Sequence, residues 1–325
     1  MSSLFTHVPV LASEVVAWLG PALERGSGSG AGRALLVDCT LGGGGHAAAL
    51  LGAAPDAALL GLDRDPAALA AARDRLAPFG NRVSLMLHSF GDLSGALALA
   101  SAESVDAALY DLGVSSPQLD LPERGFGFRS GGPLDMRMDP SAPTSAAAVV
   151  NGYSADELSR VIGRYGEERF ARRIASAIVR RRTQRPFTAT DDLAEVVKEA
   201  IPAATRRTGG HPARRTFQAL RIEVNDELGQ LQRSLPEAID ALAPGGRVAV
   251  ISYHSLEDRI VKRTFADAAS GCTCPRDLPV CACGAQARLR VLTRRPVLPT
   301  ELEVARNPRA SSGRLRVAER LSEAA

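Results

Sequence analysis

The feature that most constrains this chain is the stretch Asp38-Cys39-Thr40-Leu41-Gly42-Gly43-Gly44-Gly45-His46. It follows Ala34-Leu35-Leu36-Val37, an unbroken apolar run without polar alternation, which is how a strand buried on both faces reads. From His46 to about Gly52 the sequence reads as a helix. A buried strand, a glycine turn and a helix together form the opening unit of a parallel α/β sheet. The glycines permit backbone conformations closed to other residues and let a ligand approach the main chain closely. The first N–H groups of the helix lack helical partners, so they suit an anionic or polar ligand.

The same rhythm continues downstream. Ala58 to Leu62 is a second buried strand ended by Asp63, and Pro66 opens a helix running to about Leu76, since proline suits a first helical turn. Val83 to Leu87 and Val105 to Tyr110 read as the third and fourth strands. The rhythm then breaks: Gly113 to about Thr216 is turn-rich and then helical, with no strong buried strand. It returns with a helix ending at Ala243, a Pro244-Gly245-Gly246 turn and a strand from Arg247 to Ser252. The expected fold class is therefore α/β, a sheet interrupted by a mainly helical insertion. The expected divisions are 1–112, an inserted substrate-binding domain at 113–216, and 217–325 with a cysteine-rich loop at 271–284.

Asp63 lies 21 positions after Gly42 and ends the second strand, where an acid accepts hydrogen bonds from the ribose of a nucleotide-like cofactor. Gly42, Gly44 and Ala47 also satisfy the dinucleotide pattern, so a nicotinamide-dependent oxidoreductase is one alternative. Two carboxylates favour S-adenosylmethionine instead. Asp38 ends the first strand, where it can face the cationic amino acid portion of that cofactor, and Asp111 ends the fourth and enters the same crevice. The loop Asp111 to Asp120 contains Ser115-Ser116-Pro117-Gln118. A polar residue and a proline-containing loop occupy this place in amine-directed methyltransferases. The exocyclic amine of cytosine is a poor nucleophile because its lone pair is delocalised into the ring, so an acceptor for its N–H groups and close positioning carry the chemistry.

Lysine and arginine total 39 against 36 acids, and lysine occurs only at Lys198 and Lys262. Between Arg169 and Arg185 there are seven arginines and no acid. Arg169, Arg172, Arg173, Arg180 and Arg181 recur at helical spacing, as in a surface that tracks phosphates. The N-terminus has no basic region followed by an apolar stretch and the apolar runs are short, so a cytoplasmic protein without a membrane span is expected. Cys272, Cys274, Cys281 and Cys283 cluster, but the single residue within each pair is tight for zinc. A metal knuckle, free thiols and a reversible disulfide all stay open, and no metal is assigned.

Several stretches together resemble one known family. They are His7-Val8-Pro9-Val10-Leu11, Thr40 to His46, Leu62-Asp63-Arg64-Asp65, Asp111 to Gln118, Gly125 to Arg129, Leu134 to Met138, Tyr165-Gly166-Glu167-Glu168, Phe217 to Ile222, Ser252 to Arg259 and Asn307-Pro308-Arg309-Ala310. In this order they resemble the bacterial 16S rRNA cytosine-N4 methyltransferases along essentially the whole chain. The resemblance implies a class I (Rossmann-like) methyltransferase sheet and a cytidine substrate in the decoding region of 16S rRNA. The substrate would be presented in the small ribosomal subunit, by an enzyme acting as monomer or dimer. It further implies that Gly44, Gly45 and His46 contact the amino acid end of S-adenosylmethionine, Asp63 its ribose and Phe90 its adenine. Asp111 and Gln118 would line the rest of that pocket, with Asp111, Tyr253 and His254 as catalytic candidates. A non-catalytic RNA-binding assembly factor is the remaining alternative, opposed by the presence of both the glycine loop and the Asp111 loop.

Overall fold

The computed structural model describes residues 9–25, 32–128, 131–205, 211–270, 274, 283 and 286–322. The chain divides into two compact units, Val114–Glu227 and the sequence on either side of it.

The first unit is built on a sheet of seven strands among the described residues: β1 (Leu35–Asp38), β2 (Ala58–Asp63), β3 (Val83–Leu87), β4 (Val105–Asp111), β5 (Leu242–Ser252), β6 (Leu289–Val291) and β7 (Arg314–Arg320). Their order is β3-β2-β1-β4-β5-β7-β6. The first five pair in parallel, whereas β7 runs antiparallel to both β5 and β6. Chain order reverses between β1 and β4, and crevices for ligands open at such a point, beyond the carboxyl ends of the strands.

Successive strand residues feed opposite faces of the sheet. Leu36, Leu59, Ala107, Leu109, Ala249 and Ile251 join one core with Val15, Leu19, Leu50, Leu51, Ala72 and Leu76. Leu35, Val37, Leu60, Leu62, Tyr110 and Val250 join the other with Leu93, Leu97, Leu231, Leu235, Val261 and Phe265. Both faces are covered by helices, so the strands can be apolar throughout. Each fully buried leucine contributes roughly 1.5–3 kcal/mol to holding the layers together. A single guanidinium closes one corner. Arg82 donates to the carbonyls of Leu51, Ala54, Pro55 and Ala57 at 2.8–3.3 Å, serving acceptors left open at the end of the helix Gly45–Ala53.

Two local expectations are corrected. The helix before β5 ends at Ala241, and Pro244-Gly245-Gly246 lies within β5 rather than ahead of it. The turn survives as a bulge: Val105 pairs with Leu242 but Ala107 with Arg247, and Gly245 takes φ +79° there, a conformation glycine adopts without strain. The antiparallel strands β6, at the sheet edge, and β7, beside it, are short or charged, with Arg314, Arg316, Glu319 and Arg320 on β7, so no hydrophobic run announces them.

The second unit is mainly helical, with helices Ala146–Gly152, Ala155–Gly166, Ala171–Arg182, Thr190–Ala200 and Arg214–Asn225. Its own core includes Leu158, Ile162, Ile174, Ile178, Leu193, Phe217 and Leu220. The boundary expected at 216 falls inside the helix Arg214–Asn225, which belongs to this unit because Phe217 and Leu220 pack into its core. Asn225 fastens it further, accepting from Met138 N–H and donating to the Met136 carbonyl.

Candidate active site

Three carboxylates line one edge of the sheet, at the ends of β1, β2 and β4. Asp38 is almost fully buried, at 2 % exposure, and Thr40 N–H donates to its Oδ1 at 3.2 Å. Burial pushes its carboxyl up from the ordinary 3.8 to about 8, and the charges of Asp111 and Asp63 push the same way. Asp63 accepts from Gly42 N–H at 2.8 Å and from Asp65 N–H at 2.9 Å, yet desolvation still raises its pKa. The Gly42 bond ties the end of β2 to the glycine loop, which is the physical meaning of their spacing in sequence.

The loop turns tightly before its helix. Gly44 has φ +73°, and a Cβ there would lie 3.1 Å from Leu76 Cδ1, so a side chain would be both strained and crowded. His46 follows, 6 % exposed. Its Nε2 lies 2.8 Å from the Val10 carbonyl oxygen. Since a carbonyl only accepts, Nε2 carries the hydrogen. The other nitrogen, Nδ1, is 3.6 Å from Asp111 Oδ2.

Asp111 is the node of the site. Thr40 Oγ1 accepts its backbone N–H at 2.6 Å, and Tyr253 donates its hydroxyl to Oδ1 at 2.7 Å. Desolvation raises the Asp111 pKa, against lowering by His46 and by the Tyr253 hydroxyl. Desolvation likewise holds the Tyr253 phenol well above its usual range, and Asp111 adds to that, so the hydroxyl keeps its proton and donates.

Tyr253 is aimed by a residue that the sequence did not single out. Glu257, 2 % exposed, accepts the N–H groups of Tyr253 and His254 at 2.8 and 3.2 Å. It does so from the first turn of the helix Ser255–Ser270, where a carboxylate pins the preceding loop and offsets the helix dipole. An acid three residues after His254 was the available signal. His254 itself is drawn into this cap: its Nε2 lies 3.2 Å from Glu257 Oε1, outside hydrogen-bond geometry, and its Nδ1 accepts from Glu257 N–H at 3.4 Å.

Phe90 follows β3 at the same edge, half-buried, with its ring edge-on to Tyr110 at 5.8 Å. Asp38, Gly44, Gly45, His46, Asp63, Phe90, Asp111, Tyr253 and His254 thus all belong to one unit. Gln118 belongs to the other, where it is buried and accepts from Ser115 N–H at 3.0 Å.

The expected arginine surface also lies in the helical unit. Arg172, Arg173 and Arg180 are exposed on the helix Ala171–Arg182, with Arg169 exposed just before it, at spacings that share a face. Arg181 departs from that face. It pairs with Asp192 at 2.9 Å, donates to the Arg185 carbonyl and covers the Phe187 ring, so its guanidinium is committed within the unit. Of the cysteine cluster, Cys272 and Cys281 lie outside the described residues, as do Arg206 and Arg207. Among the described residues there is no group of histidines, cysteines and acids suited to a metal, and no helix long and apolar enough to cross a membrane.

The profile of the MraW methylase family matches residues 4–321. The chain belongs to that family. A Heliobacterium mobile protein named ribosomal RNA small subunit methyltransferase H is 53 % identical over 319 residues, 98 % of this chain and 99 % of its own length. Proteins of the same name from Saccharopolyspora erythraea and Acidothermus cellulolyticus are 55 % and 56 % identical, each covering 98 % of this chain and 94 % of their own. An rRNA methylase from Streptococcus thermophilus, solved by crystallography, aligns at 12 % identity over 98 % of this chain and 100 % of its own, with a TM-score of 0.43.

These methylases depend on S-adenosylmethionine, and the donor set fits that cofactor. Asp38, Asp63 and Asp111 all carry raised pKa values, and the charges of Asp63 and Asp111 raise Asp38. Three desolvated carboxylates on one edge favour a ligand that brings positive charge and hydrogen-bond donors. A sulfonium, an ammonium and two ribose hydroxyls supply both.

Proposed function

We propose that the protein methylates the N4 exocyclic amine of a cytidine in the decoding region of 16S rRNA, acting on the small ribosomal subunit in the cytoplasm. The observation that carries this reading is the Asp111 corner, where a partly exposed carboxylate with a raised pKa holds Tyr253 through its hydroxyl. Relatives named for small-subunit rRNA methylation support the substrate class.

In this reading Gly44, Gly45 and His46 hold the amino acid end of the cofactor, Asp63 its ribose and Phe90 its adenine. Bound there, S-adenosylmethionine supplies a methyl group made electrophilic by the sulfonium. The chain supplies position and charge. Asp111 accepts an N–H of the cytosine amine, which favours the tetrahedral nitrogen whose lone pair can attack. As the new C–N bond forms, the amine nitrogen becomes cationic, and the nearby carboxylate stabilises that charge and takes the released proton. Tyr253 keeps Asp111 oriented and offers its ring to the extruded base. His254 and Glu257 hold Tyr253 in place. Arg169, Arg172, Arg173 and Arg180 bind RNA phosphates, and Arg181 supports their helix.

The test is methyl transfer from labelled S-adenosylmethionine to small subunits taken from cells lacking this protein, followed by nucleoside mass spectrometry. N4-methylcytidine is the expected product. Label in any other nucleoside overturns the substrate, and no transfer to either subunits or free rRNA favours a non-catalytic assembly role.

A further inference from the structure

The helical unit carries a half-open cleft of about 340 Å³ that none of the residues assigned above enters. Glu157, Arg160, Val161 and Arg164 reach it from the helix Ala155–Gly166, and their spacing puts them on one helix face. Glu223 comes from the helix Arg214–Asn225, and Tyr153 and Tyr165 complete the lining. The volume is at the small end for ligand sites, which suits one planar group rather than a helix or a duplex groove.

The lining has three kinds of chemistry. Tyr153 and Tyr165 are both half-buried, and the Arg164 guanidinium sits over the Tyr165 ring at 5.3 Å, so flat surfaces for stacking are present. Arg160 and Arg164 are exposed and able to meet a phosphate. The third element is a carboxylate. Glu157 is already committed to the Ser154 N–H and hydroxyl as a helix cap. Glu223 is not: its Oε1 accepts the Tyr153 hydroxyl at 2.9 Å, and its Oε2 has no partner among the described residues. The Tyr153 phenol is pushed up to about 12 by burial and by Glu223, so it remains a donor.

A carboxylate between stacking surfaces discriminates among bases. Guanine presents two parallel donors, N1–H and N2–H, which match the two oxygens. Adenine and cytosine present one amine beside a ring acceptor that would face the second oxygen, and uracil has a single N–H between two carbonyls. We propose that this cleft holds one unpaired guanine of the RNA substrate, paired through its N1–H and N2–H to Glu223 and stacked on the tyrosine surfaces, with Arg160 on its phosphate. The inference rests on the RNA-methylation reading and adds a second recognition point for that RNA.

Calorimetric titration of the full chain with UUGUU, UUAUU, UUCUU and UUUUU pentaribonucleotides at one fixed low salt concentration tests this. The wild type binds UUGUU about tenfold tighter than the other three, the discrimination of one bidentate base contact. Glu223→Gln replaces one acceptor by a donor. It abolishes the guanine preference and moves it towards UUAUU and UUCUU, whose bases pair an amine with a ring acceptor, leaving UUUUU affinity within about twofold. If that variant does not fold, as judged by circular dichroism and S-adenosylmethionine binding, Glu223→Asp is used, and it weakens the same preference. Equal binding of all four RNAs by the wild type overturns the proposal, as does a guanine preference that Glu223→Gln leaves in place or that Glu223→Asp leaves undiminished. Guanine preference without methyl transfer would sink the enzymatic reading alone; methyl transfer without it would sink only the cleft.

Discussion

Replacing Asp38 by asparagine tests whether the carboxylate edge is electrostatically unsatisfied. In the folded protein this carboxyl titrates near 8 rather than 3.8, mainly because it is buried. The folded chain therefore keeps a proton that the unfolded chain has released, and stability falls as pH rises through the window from about 4 to about 8. The amide of the Asp38→Asn variant does not titrate, so the wild type loses stability relative to that variant by about 1.4 kcal/mol for each pH unit within the window. Between pH 5 and 7 the difference changes by roughly 2.7 kcal/mol in favour of the variant. The absolute offset also depends on whether the new amide finds an acceptor, but the slope does not. Urea unfolding followed by fluorescence suits the purpose, because the single tryptophan, Trp18, lies in the same unit as Asp38. The same variant should bind S-adenosylmethionine more weakly at pH 8, having lost the anion. A wild-type-minus-variant difference that is flat with pH, or that grows in favour of the wild type, refutes the reasoning.

Other consequences follow from single contacts. Tyr253→Phe keeps the ring and removes the 2.7 Å bond to Asp111, so kcat should drop about tenfold or more with cofactor affinity little changed, as steady-state kinetics and calorimetry would show. Gly44→Ala places a side chain at φ +73° against Leu76 and should cost at least about 1–2 kcal/mol in denaturant unfolding. Arg82→Met strips a donor from four carbonyls and should lower stability by a few kcal/mol in the same assay without changing the salt dependence of RNA binding. Replacing Arg172, Arg173 and Arg180 together by alanine should reduce the slope of log affinity against log salt by about 2 for single-stranded RNA. Arg181→Ala should change that slope less and destabilise the helical unit more, because Asp192 and Phe187 lose their partner.

The parts of the fold legible in sequence are those where one physical requirement dominates. β1, β2 and β4 are buried on both faces, so their apolar runs stand out, and each ends in an acid that marks the ligand edge. Tyr253 and Asp111, 142 positions apart, both stand out in the sequence, but their hydrogen bond does not, because nothing local encodes which side chains the pairing of β4 with β5 brings together. Glu257 passed unnoticed because a buried acid in a charged, amphipathic helix looks like a solvated one. Arg181 misleads for the converse reason. A run of arginines at helical spacing suggests one surface, and only Asp192, eleven positions away, reveals that this one turns inward. The guanine-sized cleft depends on two helices more than fifty residues apart meeting at Glu223, a contact that no spacing rule predicts.

The proposed methyl transfer depends most directly on Asp111. Single-turnover methyl transfer to small subunits should be measured for the wild type and Asp111→Asn, with product nucleosides identified by mass spectrometry and S-adenosylmethionine affinity determined in parallel. N4-methylcytidine is expected from the wild type, with a loss of at least about a hundredfold in the variant, beyond any loss explained by weaker cofactor binding. Undiminished transfer by Asp111→Asn at saturating cofactor, or a methyl group found on any other nucleoside, would contradict the proposal.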